Sequence, residues 1–421
     1  MKILVLAPQW PDPPMQGAAI RNMQIALYLA QRHEVTLLTF EAGSAVGPEM
    51  HDLREVCHRV EILPTPTRTN RQRLLRLLIS SMPDMAWRLY SEAMWRRVEQ
   101  LCREEKFDGI HIEGIEMAPY GLWAARHLPN ARMVYDAHNA EYLLQRRAFT
   151  TDIKQFRRLP RATYSFIQWY RLRKLERNVA LASKRVLAVS PADVEAISSL
   201  ANALRNRVVL LPNGVEPSYW APNAVMPQDV LVGQSALVFD GTMDFRPNVD
   251  AVLWFASDVW PLVRAERPHA RFYIVGRNPA PEVLALSEDT GIIVTGAVDD
   301  TRPWVAGAEV YVVPMRMGGG VRLKVLQAMS MSCAIVSTPM GAEGIALRPG
   351  KDMLITFSAK GFANAILLLL SAPDRRRTLG HSARELVTSL YSWDSLLPVL
   401  DEIYPAHPQL TQGVDRGAPP S

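Results

Sequence analysis

Between residues 313 and 329 the sequence reads Val313-Pro314-Met315-Arg316-Met317-Gly318-Gly319-Gly320-Val321-Arg322-Leu323-Lys324-Val325-Leu326-Gln327-Ala328-Met329. An apolar run stops, three glycines follow, and a helical pattern begins. Glycines let a ligand approach the main chain closely, and the unpaired N–H groups at a helix start point at an anion. Lys324, expected one turn into that helix, adds an ammonium, and Gln327 falls three residues later on the same face. Gly319, Gly320, Val321 and Lys324 together suit a diphosphate, with Gln327 offered to a ribose hydroxyl. Taken alone, the spacing also fits a plain strand-to-helix turn. It is neither a P-loop, lacking Gly-Lys-Ser/Thr, nor a dinucleotide fingerprint, lacking G-x-G-x-x-G.

A second element of the same kind stands upstream, in Phe239-Asp240-Gly241-Thr242-Met243-Asp244-Phe245-Arg246-Pro247-Asn248. Gly241 ends an apolar run, Asp244 follows, and Arg246 comes at the start of the next expected helix. This is again an anion site. Two such sites on neighbouring strand ends would cooperate on one diphosphate.

The elements that must position these residues are parallel α/β layers, because short apolar runs alternate with helical periodicity. Strands are expected at residues 3–8, 33–39, 60–63, 109–113, 133–136 and 186–189, with a helix near 20–32 after a loop containing Gly17. A second series is expected at 236–239, 271–275, 292–295, 310–313 and 334–337. Between the two lies a turn-rich stretch, 211–234, with Pro212, Asn213, Gly214, Pro217, Pro222 and Pro227. The expected architecture is a first Rossmann-like domain over 1–212, a linker over 213–232 and a second Rossmann-like domain over 233–385. A helix over 386–405 crosses back to the first domain, and 406–421 reads as a disordered tail. Ligand is expected where the carboxyl ends of the two sheets face each other.

At 421 residues the chain has room for two such domains, and 48% hydrophobic with 21% charged residues is ordinary for a globular protein. Cys57, Cys102 and Cys333 are too few and scattered for a disulfide framework or a cysteine zinc site, which fits a reducing cytoplasm. The apolar start is too short for a signal peptide, and the run over 365–370 is far short of the roughly 20 residues of a membrane span. The net charge of +5 is concentrated in two segments. Residues 68–103 include Arg71, Arg73, Arg76, Arg88, Arg96 and Arg97. Residues 146–185 interleave cations with Phe156, Tyr164, Phe166, Trp169 and Tyr170. Such helices suit peripheral contact with the anionic inner face of a membrane, or equally a solvated face over core aromatics.

In order along the chain stand His138-Asn139-Ala140-Glu141, Ser190-Pro191, Leu211-Pro212-Asn213-Gly214-Val215, Gly241-Thr242-Met243-Asp244, Val275-Gly276, Gly296 and the segment from Gly318 to Met329. In these motifs the chain resembles the retaining glycosyltransferase family four, of the GT-B fold: two Rossmann-like domains facing each other across a cleft. It is most similar to the branch with HN-x-E and GGG-x-R-L-K motifs, to which exopolysaccharide- and exosortase-associated sugar transferases belong. The resemblance covers about residues 1–391. It implies that Lys324 and Arg246 bind the diphosphate of a nucleotide sugar, and that His138 touches the donor sugar. Gly17 admits the main chain to the diphosphate or acceptor, and Val298 with Arg277 meets the base. Glu141 is either an acceptor or sugar contact or an ordinary helix N-terminal acid, and His111 reads as structural. Where the family usually has a ribose-binding glutamate this chain has Gln327, an amide in place of a stronger acceptor.

The implied activity is transfer of a sugar from a UDP- or GDP-linked donor to a glycan or lipid-linked acceptor. It calls for no cofactor and no metal, since Asp-x-Asp is missing at any loop and Asp299-Asp300 reads as a cap for the next helix. A catalytically inactive nucleotide-sugar-binding homologue, prompted by Gln327, and a basic membrane- or nucleic-acid-binding protein are the competing readings. No nucleic-acid module surrounds the basic segments, and nucleic acid is not an expected partner. A nicotinamide oxidoreductase is excluded, because Pro8-Gln9-Trp10-Pro11 replaces the glycine fingerprint. A non-hydrolysing epimerase lacks its acids and bases.

Overall fold

Continuous apolar runs such as Lys2–Ala7 and Val310–Val313 form strands buried along nearly their whole length, as parallel sheets require. The computed structural model describes residues 1–11, 17–41, 53–69, 71–72, 75, 79–153, 159–318 and 320–405. Gly319, Arg73, Arg76, Phe156 and the tail from 406 lie outside them.

The chain divides into two units, Met1–Pro212 with Leu397–Ser421, and Asn213–Leu396. The first holds a parallel sheet of β1 (Lys2–Ala7), β2 (Glu34–Phe40), β3 (Arg59–Leu63), β4 (Gly109–Glu113), β5 (Arg132–Ala137), β6 (Arg185–Ala188) and β7 (Val208–Leu210). Their order is β3-β2-β1-β4-β5-β6-β7. The second unit holds β8 (Ala236–Asp240), β9 (Arg271–Val275), β10 (Ile292–Gly296), β11 (Val310–Val313), β12 (Ile335–Ser337) and β13 (Leu354–Ile355). Their order is β10-β9-β8-β11-β12-β13, again all parallel. Each unit has its own core, one built around Leu4, Leu38, Ile110 and Tyr135, the other around Phe239, Phe272, Tyr311 and Trp260. Both are Rossmann-like, the α/β class of the GT-B fold. In each sheet the strand order reverses at one place, between β1 and β4 and between β8 and β11, where sheets of this kind bind ligand beyond the strand ends.

Two boundaries differ from those expected. The stretch 213–232 is built into the second unit rather than spanning freely. Val215 N–H donates to Tyr391 O at 2.8 Å, and the Trp393 N–H donates back to Val215 O at 3.2 Å. Arg384 donates to the carbonyls of Trp220 and Pro217, both at 3.3 Å. Prolines keep this segment irregular, and the arginine satisfies carbonyls that no strand pairs. The return to the first unit is not one helix over 386–405. The Pro373–Tyr391 helix ends at Ser392, whose hydroxyl instead caps a short Trp393–Leu396 turn, and Pro398 precedes the final Val399–Ile403 helix.

Candidate active site

At the second unit's reversal point, β8 ends in Asp240 and Gly241. Gly241 N–H donates to Val275 O at 2.9 Å, and Gly276 N–H donates to Gly296 O at 3.1 Å, so three strand ends are stitched together. Gly276, at φ +147°, passes so close that a Cβ there would lie 1.8 Å from Gly241 O. A Cβ on Gly241 itself would lie 2.5 Å from Lys324 Nζ. These glycines make room for the lysine.

Lys324 is the second residue of the Leu323–Ser330 helix, earlier than the full turn expected. Its ammonium donates to Asp240 O and, at 3.1 Å, to Asn248 Oδ1, and lies 4.0 Å from the centre of the Phe239 ring. Asn248 is held in turn by donating to Thr242 O at 2.9 Å. Burial, with Arg322 as a like charge, pulls the lysine pKa down to about 8 against the opposing pull of Asp240. The ammonium is therefore short of compensating charge. Ahead of it, Gly318 and Gly320 take φ of +120° and +73°, and Arg322 reaches back to Gly320 O at 3.3 Å and Met317 O at 3.4 Å.

Around this centre, Arg246 is the first residue of the Arg246–Trp254 helix and is exposed. Among the described residues its guanidinium has no hydrogen bond or ion pair, and neither has that of half-buried Arg277. Arg277 O accepts from Met243 N–H at 2.8 Å, which places residue 277 beside the Gly241 loop. Asp244 is exposed and accepts from Asn278 at 3.3 Å. Val298 packs partly on the core. Asp300 accepts from the Arg302 N–H at 2.8 Å, at the start of the following helix.

In the first unit, β4 ends in Glu113 and passes straight into the Gly114–His127 helix through Gly114, at φ +76°. Glu113 is fully buried and accepts from two histidines: His111 Nε2 at 3.0 Å and His138 Nε2 at 3.2 Å. Burial would raise its pKa, but the two imidazoles outweigh that and hold the carboxyl well below the usual range. Burial depresses His138, but the hydrogen bond to Glu113 and the charge of Asp136 win, so its pKa is raised. Asp136 is bound by Arg21 through two bonds, of 2.7 and 2.9 Å, with both side chains buried. His111, Glu113 and Asp136 place ligand atoms within 4.8 Å of one another, a spacing a metal ion accepts. Both His111 nitrogens and both Asp136 oxygens are nonetheless already engaged with protein groups.

Next to His138, Asn139 donates to Glu141 Oε1 at 3.2 Å. Burial and nearby Glu116 push the Glu141 carboxyl up to about 7. The N-terminus of its helix is capped by buried Glu176, which accepts from the Glu141 and Tyr142 N–H groups at 3.0 and 2.8 Å. Burial lifts Glu176 to about 8. Gly17 begins the Gly17–Ala30 helix.

A family model described as "Glycosyltransferase Family 4" matches residues 15–219, and one described as "Glycosyl transferases group 1" matches residues 234–372. The chain belongs to glycosyltransferase family 4. Its relatives include an uncharacterized 44.6 kDa protein in the cps region of Klebsiella pneumoniae, 22% identical over 376 residues, covering 87% of this chain and 90% of that protein. Among solved structures it is similar to HepE of Anabaena in complex with UDP, at TM-score 0.65 and 13% identity, over 96% of this chain and 99% of that one. Sucrose-phosphate synthase of Thermosynechococcus elongatus aligns at TM-score 0.67 and 16% identity, over 96% and 98%.

In this family 4 glycosyltransferase, the structure brings Gly241, Gly320, Val321 and Lys324 to the ends of β8 and β11, with Arg246, Asp244 and Arg277 around them. His138 and Glu141 stand at the end of β5, and Gln327 lies three residues past Lys324, its amide making no hydrogen bond among the described residues. Several residues of these clusters carried no sequence signal. Glu113, Glu116, Glu176, Asn22 and Arg21 look like ordinary strand-end and helix polar residues until their partners are known. Asn248 stood within the quoted Gly241 segment, and its role follows only from the lysine it holds.

Proposed function

We propose that the protein is a retaining glycosyltransferase moving a sugar from a UDP- or GDP-linked donor to a hydroxyl of a glycan or lipid-linked saccharide, in cell-surface polysaccharide synthesis. The observation that carries this reading is Lys324, an ammonium held at two glycine-lined strand ends with its pKa lowered by burial and by Arg322. A diphosphate is the anion that suits it. As the glycosidic bond breaks, negative charge gathers on the leaving diphosphate, and fixed donors stabilise it more than they stabilise the bound donor. Lys324, Arg246 and the start of the Leu323–Ser330 helix supply them. Gln327 takes a ribose hydroxyl, Arg277 and the main chain at Val298 meet the base, and His138 contacts the donor sugar. The acceptor hydroxyl enters on the leaving-group face and passes its proton to the departing phosphate, so no protein nucleophile is called for.

The UDP in the HepE structure supports a uridine donor, and the cps-region relative supports a polysaccharide pathway. The test is thermal shift against UDP, GDP, ADP and CMP and their sugars, followed by anomeric analysis of the product. A shift with one nucleotide diphosphate and a product of retained configuration is expected. Inverted product overturns the retaining mechanism, and no shift with any nucleotide moves the assignment to an inactive homologue.

A further inference from the structure

Within the first unit an unbroken line of hydrogen bonds, buried as far as Glu113, runs from the final helix to the site histidine. Tyr404, fully buried just past the Val399–Ile403 helix, has its hydroxyl 3.1 Å from His111 Nδ1. His111 Nε2 is 3.0 Å from Glu113 Oε1, and Glu113 Oε2 is 3.2 Å from His138 Nε2. In the amide orientation that satisfies its neighbours, the Asn22 nitrogen donates to Ala18 O at 2.8 Å and lies 3.0 Å from both Glu113 Oε2 and His138 Nε2, so its second hydrogen goes to one or the other.

For neutral rings the favoured arrangement sends the second Asn22 hydrogen to Glu113, because sending it to His138 Nε2 would set that nitrogen's lone pair against the Glu113 carboxylate 3.2 Å away. An ionised carboxylate only accepts, so both histidines then carry their proton on Nε2. His111 Nδ1 is then a lone pair, which the Tyr404 O–H satisfies. His138 Nδ1 is left without a protein partner among the described residues, and it faces Gly114, where a Cβ would stand 3.5 Å from it. The glycine at 114, required by its φ of +76°, also keeps that nitrogen uncovered.

We infer that Tyr404, His111 and Glu113 are positioning residues that fix the tautomer and ring plane of His138, so that its Nδ1 is the atom offered to a sugar hydroxyl. This rests on the proposed role of His138 at the donor sugar. A fixed tautomer matters because a hydroxyl can be held as donor by a lone pair or as acceptor by an N–H, but not by a ring that exchanges between them. The charged groups around the imidazole are Glu113 from β4, Asp136 from β5, Arg21 from the Gly17–Ala30 helix, Glu141 after β5, and Glu116, which is paired with Arg88 and whose Oε2 would stand 2.9 Å from the same Gly114 Cβ. The Glu113 hydrogen bond and the Glu113 and Asp136 charges outweigh burial and Arg21, so Nδ1 also takes a proton readily as pH falls.

The test is nitrogen NMR of the histidine-labelled full chain through a pH titration, with His138 assigned by His138→Gln, alongside transfer assays of Glu113→Gln and Tyr404→Phe. In the unmodified protein the neutral rings of His111 and His138 are expected to carry the proton on Nε2, and His138 to titrate above an ordinary histidine. Glu113→Gln presents one oxygen and one amide, so one ring must move its proton to Nδ1. The His138 titration then moves to lower pH and kcat falls about tenfold or more, with donor KM little changed. Tyr404→Phe keeps the ring in the core, shifts the His111 signals and lowers kcat less. A His138 with its neutral proton on Nδ1 overturns the inference without any variant having to fold. So does a Glu113→Gln protein whose His138 signals or kcat match the unmodified one. Absence of sugar transfer with every donor strikes the proposed function instead, and the NMR signature still decides whether the line of bonds fixes the ring.

Discussion

Lys324 has its ordinary charge only while the pH stays below about 8, because burial disfavours the ammonium. A diphosphate that binds only the charged lysine should therefore bind with constant affinity at lower pH and progressively more weakly above about 8. Calorimetric titration of UDP or GDP from about pH 6 to about pH 9.5 reads this directly, and a flat profile removes the lysine from the diphosphate site. Lys324→Ala should cut kcat by about 10²–10³, the cost of losing one preorganised donor, with the circular dichroism spectrum unchanged. Gln327→Glu should keep or tighten donor affinity, since a carboxylate accepts ribose hydroxyls more strongly than an amide. A large loss of affinity would mean that the amide nitrogen is the group in use.

At the scale of the elements, the crossing of Gly241 and Gly276 holds the lysine pocket open. Gly276→Ala sets a Cβ into main chain rather than into a movable side chain. It should destabilise the protein by about 1–3 kcal/mol and abolish nucleotide-induced thermal shift, as scanning calorimetry with and without ligand would show. A variant with unchanged midpoint would mean that the two loops part easily. These glycine loops were legible in the sequence because a strand end, a glycine and a helix start are adjacent along the chain. The strands were legible because parallel strands covered on both faces must be apolar throughout. Three-residue β7 and two-residue β13 were not, being edge strands too short to show a pattern. The line from Tyr404 to His138 was invisible for a different reason. Its partners are separated by 293, 2 and 25 residues, and only the strand order brings them together.

Across the whole molecule, charge and apolar surface coincide in the first unit. The Leu159–Ala182 helix exposes Phe166 and Tyr170 beside exposed Arg161, Arg173, Lys174 and Arg177. Among the described residues no helix is long and apolar enough to cross a membrane. We propose that this basic, aromatic face contacts the surface of one. The protein should float with acidic liposomes at low salt and be released as salt shortens the Debye length, while neutral liposomes leave it in solution. Equal binding to both lipids, or none to either, would assign the cations to a solvated face.

Because the first unit is completed by residues from Leu397 onward, its assembly is bound to the order of synthesis. His111 and the Tyr404 that closes over it are 293 residues apart, a gap a ribosome takes about 15–60 s to cover at roughly 5–20 residues per second. Once β7 is made, the β1–β7 sheet still waits with its last core residues unmade, while Asn213–Leu396 emerges and can fold with all its strands in hand. The unit translated first is thus finished last, and a nascent chain released early would carry a folded second unit and a first unit still open to proteases.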